Sequence, residues 1–234
     1  MDTLFLARLE PVISRERLTP YRNASASDLD VLVSYLFNLT LSEALYSPLG
    51  CLEVSLRNSI DATLRHHLGT PDWYNQPGLF APNQMNDIQK AKKRATPSGA
   101  QSGSQPSPGK VVAELNFGFW TSLLSNTYEA SLWRPDRARL LKRTFPHVPR
   151  RLRQRNTIYA NYNHIRELRN RVFHHESIWN RSTLEKDYQS IIQAIGWISP
   201  EMQTALAVVD RFEEFFQNGR QRIERDLEQE LNIS

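Results

Sequence analysis

Leu41, Leu45, Leu49, Leu52, Leu56, Ile60, Leu64 and Leu68 recur three and four positions apart. That spacing lines all eight along one stripe of a long helix, a pattern that no strand can present on a single face. Thr40-Leu-Ser-Glu43 just ahead of the stripe has the form of a capping box. Pro48 is expected to kink or split the helix, and Gly69 with Pro71 to end it. An earlier helix carrying Leu29, Leu32, Val33 and Leu36 is expected after the capping segment Ser25-Ala-Ser-Asp28.

The remaining chain repeats the helical theme. Asn83 to Ala95 predicts a short polar helix ending in Lys90, Lys92, Lys93 and Arg94. Helical pattern resumes over Val111 to Leu132, rich in aromatic residues, and a basic helix from Arg137 to Phe145 lies between Pro135 and Pro146. Further helices are expected over Thr157 to His175, Leu184 to Ile198, and Met202 to Leu231 with a weak point at Gly219. No convincing strand alternation and no internal repeat interrupts this order. Residues 96–109 hold only Gly, Ser, Pro, Gln, Ala and Thr, which cannot build a core, so they predict a flexible surface loop. The expected architecture is an all-α, multi-helix bundle forming one domain over residues 1–234, with that loop inserted.

Composition removes several function classes. The 40% hydrophobic content is enough to fold without covalent staples, and the single cysteine, Cys51, permits neither a disulfide framework nor a cysteine-based zinc site. His66-His67 ends a helix, where a cation suits the dipole, and with no acid or cysteine nearby it is a poor ligand pair. No metal and no cofactor is expected. The opening MDTLFLARLEPV has an acid at position 2 and too short an apolar run for a signal peptide, and no transmembrane run of about 18 apolar residues occurs. A cytoplasmic protein with no membrane partner is the expectation.

Net charge is +4, yet from Arg134 to Arg171 there are twelve Lys/Arg and two acids, a local surplus of +10. Such a surplus suits either a polyanion partner or a solvated helix face. Arg150, Arg151, Arg153 and Arg155 are the best candidates for RNA phosphate contacts, although their spacing spreads them over several faces.

The segment Arg169-Asn170-Arg171-Val172-Phe173-His174 carries the chemistry. With Ile158 at 0° and 100° per residue, Tyr162, Ile165, Leu168 and Val172 fall between about 280° and 40°. Arg169 falls at about 20°, inside this apolar stripe, whereas Asn170 and His174 fall at about 120° and 160° on its flank. An arginine there must be paired in the core or face a cleft or subunit interface. Arginine grips phosphate oxygens through a planar fork, and histidine moves protons near neutral pH. Asparagine orients without competing for the proton. Together they suit cleavage of RNA through its own 2′-OH, which needs no metal. Arg169 and His174 lie about 140° apart, so one helix does not present them on one face, and two copies meeting about a two-fold axis could pool them. Caps and ion pairs at a helix end are the alternative use of the same residues.

Glu167-Leu-Arg-Asn-Arg-Val-Phe-His-His-Glu-Ser-Ile-Trp179 resembles the Abi-like (abortive infection) proteins of the HEPN superfamily, whose motif is arginine, a polar residue, three variable residues and histidine. Leu52-Glu-Val-Ser-Leu-Arg-Asn58 with Trp73-Tyr74 looks like the family's first block, and Ala113-Glu-Leu-Asn-Phe-Gly-Phe-Trp120 with Leu132-Trp133 like its middle block. The resemblance implies a HEPN-type bundle acting as a metal-independent endoribonuclease, a toxin or phage-defence effector. It implies a homodimer with the motifs facing across the interface, and an antitoxin as a further candidate partner. Carried over, Arg169 and His174 are the catalytic pair and Asn170 the orienting residue. Arg171 and His175 join the candidate RNA contacts. The competing reading is a non-catalytic HEPN module binding RNA, nucleotide or protein, and a third is a purely structural dimerisation domain. Three structural expectations accompany these. Arg57 pairs with Asp61 and Glu167 with Arg171, each one turn apart. Trp120, Trp133 and Trp179 serve the core more often than they stack bases.

Overall fold

The computed structural model describes residues 4–24, 26–98, 105–134 and 136–231. Among them every regular element is helical, as the periodicity predicts. The helices are α1 (Leu4–Ile13), α2 (Arg15–Leu18), α3 (Asp28–Leu68), α4 (Pro82–Ala95), α5 (Pro108–Glu114), α6 (Phe117–Ser122), α7 (Arg137–Thr144), α8 (Arg155–Phe173), α9 (Leu184–Ile198), α10 (Pro200–Leu206) and α11 (Phe212–Glu230). By internal packing the chain divides into two compact units. One comprises Met1–Leu49, Glu167–Gln189 and Leu206–Ser234, the other Gly50–Arg166 and Ser190–Ala205.

The leucine stripe belongs to a helix longer than expected. The two helices predicted on either side of residue 40 are one, of 41 residues, running without interruption through Pro48. The missing N–H of Pro48 deprives one carbonyl a turn earlier of its partner, and the flanking turns hold the remainder of the ladder. Ser27 starts the helix with a reciprocal cap: its hydroxyl accepts from the Asp30 N–H at 3.1 Å, and the Asp30 carboxylate accepts from the Ser27 N–H at 3.1 Å. The Ser27 hydroxyl, which also donates to this carboxylate at 2.7 Å, and then the Ser27 N–H hold the Asp30 carboxyl below the usual carboxylate range. Ser25, part of the predicted cap, lies outside the described residues. Thr40 and Ser42 are helix-interior residues whose hydroxyls donate back to the carbonyls of Leu36 and Asn38. The capping-box pattern at Thr40 to Glu43 therefore starts no helix.

The unit containing the first half of α3 packs Leu6, Leu18, Tyr21, Val31 and Leu32 together, with Trp179 and Leu227 against them. Helices α1 and α2, which leucine spacing did not announce, supply two of these. Each fully buried leucine contributes roughly 1.5–3 kcal/mol relative to an exposed one. The predicted helix over Met202 to Leu231 is broken after Leu206 rather than at Gly219. The Asp210 carboxylate accepts from the Phe212 N–H at 3.0 Å and from the Tyr188 hydroxyl at 2.7 Å, which restarts the chain as α11. Gly219 sits mid-helix, where a Cβ would meet the Phe37 ring at 3.3 Å. The close approach to Phe37 accounts for this glycine.

The second unit is built on aromatic side chains. Trp73, Phe80, Phe119, Trp120 and Tyr128 interlock at ring-centroid distances of 5.2–6.5 Å. Three indole N–H groups find acceptors: Trp73 at Asp61 (2.7 Å), Trp120 at the Leu115 carbonyl (3.0 Å), Trp133 at the Leu123 carbonyl (2.7 Å). Trp120 and Trp133 are core residues. Asp61 also binds Arg65 at 2.7 Å, so the expected Arg57–Asp61 pair gives way to Arg65–Asp61. The continuous helix expected over Val111 to Leu132 is instead α5, α6, a 3-10 turn and a π turn over Glu129–Trp133. Asn116 caps α6 by accepting from the Phe119 N–H at 2.9 Å. Of the predicted loop, residues 99–104 lie outside the described residues, and its last two, Pro108 and Gly109, already belong to α5. Pro135, expected to bound the basic helix, also lies outside them.

Candidate active site at the end of helix α8

Helix α8 stops at Phe173, two residues short of the expected His175, and the way it stops shapes the site. His174 makes the last helical bond, its N–H donating to the Asn170 carbonyl at 2.9 Å. The Glu176 N–H then reaches the Arg171 carbonyl at 2.8 Å and the His175 N–H the Val172 carbonyl at 3.1 Å. This pair of bonds is a Schellman cap, with His175 at the left-handed position normally held by glycine. Its φ is +55°. The only other non-glycine residue with positive φ among those described is Ser14, at +78°.

Ser14 and His175 line the same cleft, of about 550 Å³, together with Glu16, Arg17, Arg171 and His174. Ser14 caps α2 by accepting from the Arg17 N–H at 3.3 Å, and the Arg17 Nη1 donates to the His175 carbonyl at 2.7 Å. Backbone strain of this kind costs on the order of 1–3 kcal/mol per residue and concentrates at working sites. Glu16 is held ionised by its own backbone N–H and the Ser14 hydroxyl, which lower its carboxyl. Arg171 meets Glu176 at 3.5 Å, a different acid from the expected Glu167. His174 is exposed, and among the described residues no side chain bonds its imidazole. Both ring nitrogens are open to a substrate.

Below the cleft, Asn38 fixes the segment that follows the motif. It is 1% exposed. Its Oδ1 accepts from the Ile178 N–H at 2.7 Å and the Trp179 N–H at 3.2 Å, while its Nδ2 donates to the Glu176 carbonyl at 3.5 Å. Trp179 stacks on Tyr21 at 6.3 Å and lies under Arg220 at 5.6 Å, a packing role.

The predicted catalytic residues Arg169 and His174 have different surroundings. Arg169 is half-buried as its helical phase predicts, and its guanidinium covers the Phe173 ring at 4.2 Å rather than lining the cleft with His174. Asn170 is half-buried beside it and also absent from the cleft lining. Arg171, His174 and His175 are brought together. Arg17, Glu16 and Ser14 join them from the N-terminal helices, and no spacing or motif in the sequence marks that partnership across more than 150 residues.

The four arginines from 150 to 155 fare differently from one another, and all belong to the other compact unit. Arg150 and Arg151 are exposed on a short 3-10 turn. Arg153 is half-buried and donates to the Val148 carbonyl at 2.9 Å. Arg155 contradicts its reading as a surface phosphate contact. It is 9% exposed, pairs with Glu129 and donates to the Leu124 carbonyl at 2.5 Å. Glu129 also pairs with Arg137 and lies 3.7 Å from Arg134, and its carboxyl is held below the usual range by Arg155 first and then Arg137. Part of the local surplus of +10 therefore serves the interior.

Among the described residues no cluster of three or more His, Cys, Asp or Glu could hold a metal, and no helix is long and apolar enough to cross a membrane. No curated protein and no solved structure matches the chain. Residues 9–180 match the family described as Abi-like protein, well over half of the sequence and including every residue of the motif from Arg169 to His174. The chain belongs to the Abi-like protein family.

Proposed function

We propose that the protein is a metal-independent endoribonuclease of the HEPN type, a cytoplasmic effector of abortive infection directed at RNA. Family membership supplies the association with abortive infection. The observation that carries the enzymatic reading is the unengaged, exposed imidazole of His174 in one cleft with the guanidinium groups of Arg17 and Arg171. Cleavage through the 2′-OH needs a proton removed from that hydroxyl and one delivered to the leaving 5′-oxygen. His174 performs one of these transfers. Arg171 and Arg17 hold the non-bridging phosphate oxygens, whose charge grows as the phosphorane forms.

Arg169 takes the stabilising role that the family resemblance gives it, with Asn170 orienting. Since it lies outside the His174 cleft of its own protomer, it acts on the cleft of a second copy, and the working species is a homodimer. An antitoxin that covers the cleft would keep the enzyme silent.

The decisive experiment incubates purified protein with RNA in excess EDTA. We expect cleavage leaving 2′,3′-cyclic phosphate ends, abolished by His174→Ala. Cleavage that requires a divalent metal, or that survives His174→Ala unchanged, disproves the mechanism. RNA binding with a steep salt dependence but no cleavage returns the protein to the non-catalytic reading.

A further inference from the structure

A second cleft, of about 660 Å³, lies within the same compact unit and shares one lining residue, His175, with the His174 cleft. Its walls are unusual for a protein surface. Leu39, Tyr46, Phe173 and Val209 line it, and all four are among the few large hydrophobic residues left exposed. Tyr46 is 62% exposed. Its ring stacks on Phe173 with centroids 5.4 Å apart and planes at 28°, and Phe173 in turn carries the Arg169 guanidinium. The result is a cation–aromatic–aromatic stack whose outermost ring is open.

The polar groups at this cleft are few and of definite kind. Arg211 offers positive charge, the His175 imidazole an N–H donor, Glu43 is the one acid, and Ser42 and Ser47 supply hydroxyls. An open aromatic face suits a planar ring, and the cationic rim suits a phosphate beside it. A carboxylate on the same wall accepts from adjacent N–H donors, a pattern that the pairing edge of guanine presents through N1–H and its 2-amino group. A purely apolar occupant would leave Arg211, His175 and Glu43 without use.

Resting on the nuclease reading above, we propose that this cleft is a nucleobase subsite for the RNA substrate. A guanine lies on the exposed face of Tyr46, its pairing edge against Glu43, and the adjoining phosphate meets Arg211 and His175. Because His175 borders both clefts, a base held here belongs to a nucleotide next to the scissile phosphate, and the subsite sets the sequence preference of cleavage.

The test uses the full chain and an all-2′-deoxy oligonucleotide, which binds but offers no 2′-OH to cleave, carrying the fluorescent guanine analogue 6-methylisoxanthopterin. Titration is expected to quench the probe as it stacks. Tyr46→Phe should preserve the quenching, and Tyr46→Ala should remove it and weaken binding about 5- to 150-fold. Glu43→Gln should weaken the guanine probe more than an oligoadenylate of equal length. Equal affinity of the wild type and Tyr46→Ala, or no binding by the wild type, overturns the subsite. So does a Tyr46→Ala protein that turns from dimer to monomer in sedimentation while keeping its oligonucleotide affinity, because the cleft is then an interface between copies. The EDTA cleavage assay, run on the same preparations, separates the two readings. Cleavage with unchanged Tyr46→Ala affinity overturns the subsite alone, and quenching without cleavage overturns the nuclease alone.

Discussion

The Nη1 of Arg17 donates to the backbone carbonyl of His175 at 2.7 Å, joining residues 158 positions apart. This bond ties the N-terminal helices to the turn that ends α8, at the place where the motif histidine emerges. Arg17→Ala leaves that carbonyl to water and frees the turn. Because the pair is solvent-exposed, the expected loss of stability is only about 1 kcal/mol. The loss of RNA cleavage should be larger, at least tenfold, because it includes a phosphate contact as well as the position of His174. Denaturant midpoints and single-turnover cleavage on the same variant separate the two effects. Equal activity of Arg17→Ala and wild type removes Arg17 from the site.

His175 occupies a left-handed conformation that costs a side-chain-bearing residue roughly 1–2 kcal/mol, against about 0.5–1 kcal/mol of backbone entropy lost by glycine on folding. The first term is the larger, so His175→Gly should stabilise the fold by about 1 kcal/mol. The Arg17 bond survives, since it uses the backbone. RNA affinity should nonetheless fall, as an imidazole is lost from both clefts. Thermal melts together with oligonucleotide binding check the opposition, and a destabilised His175→Gly contradicts the strain argument.

Asn38 supports the motif without belonging to it. Asn38→Ala leaves the Ile178 and Trp179 N–H groups without their acceptor in a buried place, an expected cost of about 2–3 kcal/mol. Hydrogen exchange should speed up selectively at those two amides. Uniform exchange across the unit would show that Asn38 is an ordinary core residue.

Long-period patterns were legible in the sequence, and long-range partnerships were not. The leucine stripe of α3, the polar helix α4 and the buried phase of Ile158, Tyr162, Ile165, Leu168 and Val172 all express a repeat that one helix imposes on its own residues. The fusion of α3 through Pro48 and the breakage of the Val111 to Leu132 stretch depend on what surrounds them. There, tertiary packing overrides local signals. The motif was found by resemblance, and the inward phase of Arg169 by arithmetic. Arg17 and Asn38 carried no local signal at all, because a polar residue's partner a hundred positions away leaves no periodicity. Charge was misleading in one instance: Arg155 looks like its neighbours Arg150 and Arg151 until Glu129 is seen beside it.

Arg155 and Glu129 set an acid-sensitive point in the other unit. The Glu129 carboxyl is lowered in the folded chain by Arg155 first, then Arg137. Its contribution to stability is therefore full above the unfolded carboxyl value of roughly 4.3 and is lost in the window below it, as pH falls through the lower folded value. Glu129→Gln should flatten the fall in stability across that window. Arg155→Ala, which strands Glu129 and the Leu124 carbonyl, should cost about 3–5 kcal/mol. Arg150→Ala and Arg151→Ala, both exposed, should leave stability unchanged and reduce the salt dependence of RNA binding instead. Urea titrations at stepped pH check the first two, and salt-dependent binding checks the last.

A site shared between two copies makes the strongest demand. If each working site takes Arg169 from one protomer and His174 from the other, then Arg169→Ala and His174→Ala are each inactive as homodimers. In a heterodimer of the two, one site loses both groups and the other keeps both. Random exchange of equal amounts makes half of the dimers mixed, each with one intact site of two, so activity should return to roughly one quarter of wild type. The measurement is RNA cleavage in EDTA after partial denaturation and refolding of the mixed variants, against each refolded alone. A site contained within one protomer gives no recovery at any mixing ratio, because every chain then carries a broken site. Wild-type activity of Arg169→Ala on its own would instead return Arg169 to a structural role over the Phe173 ring, where its guanidinium already lies at 4.2 Å.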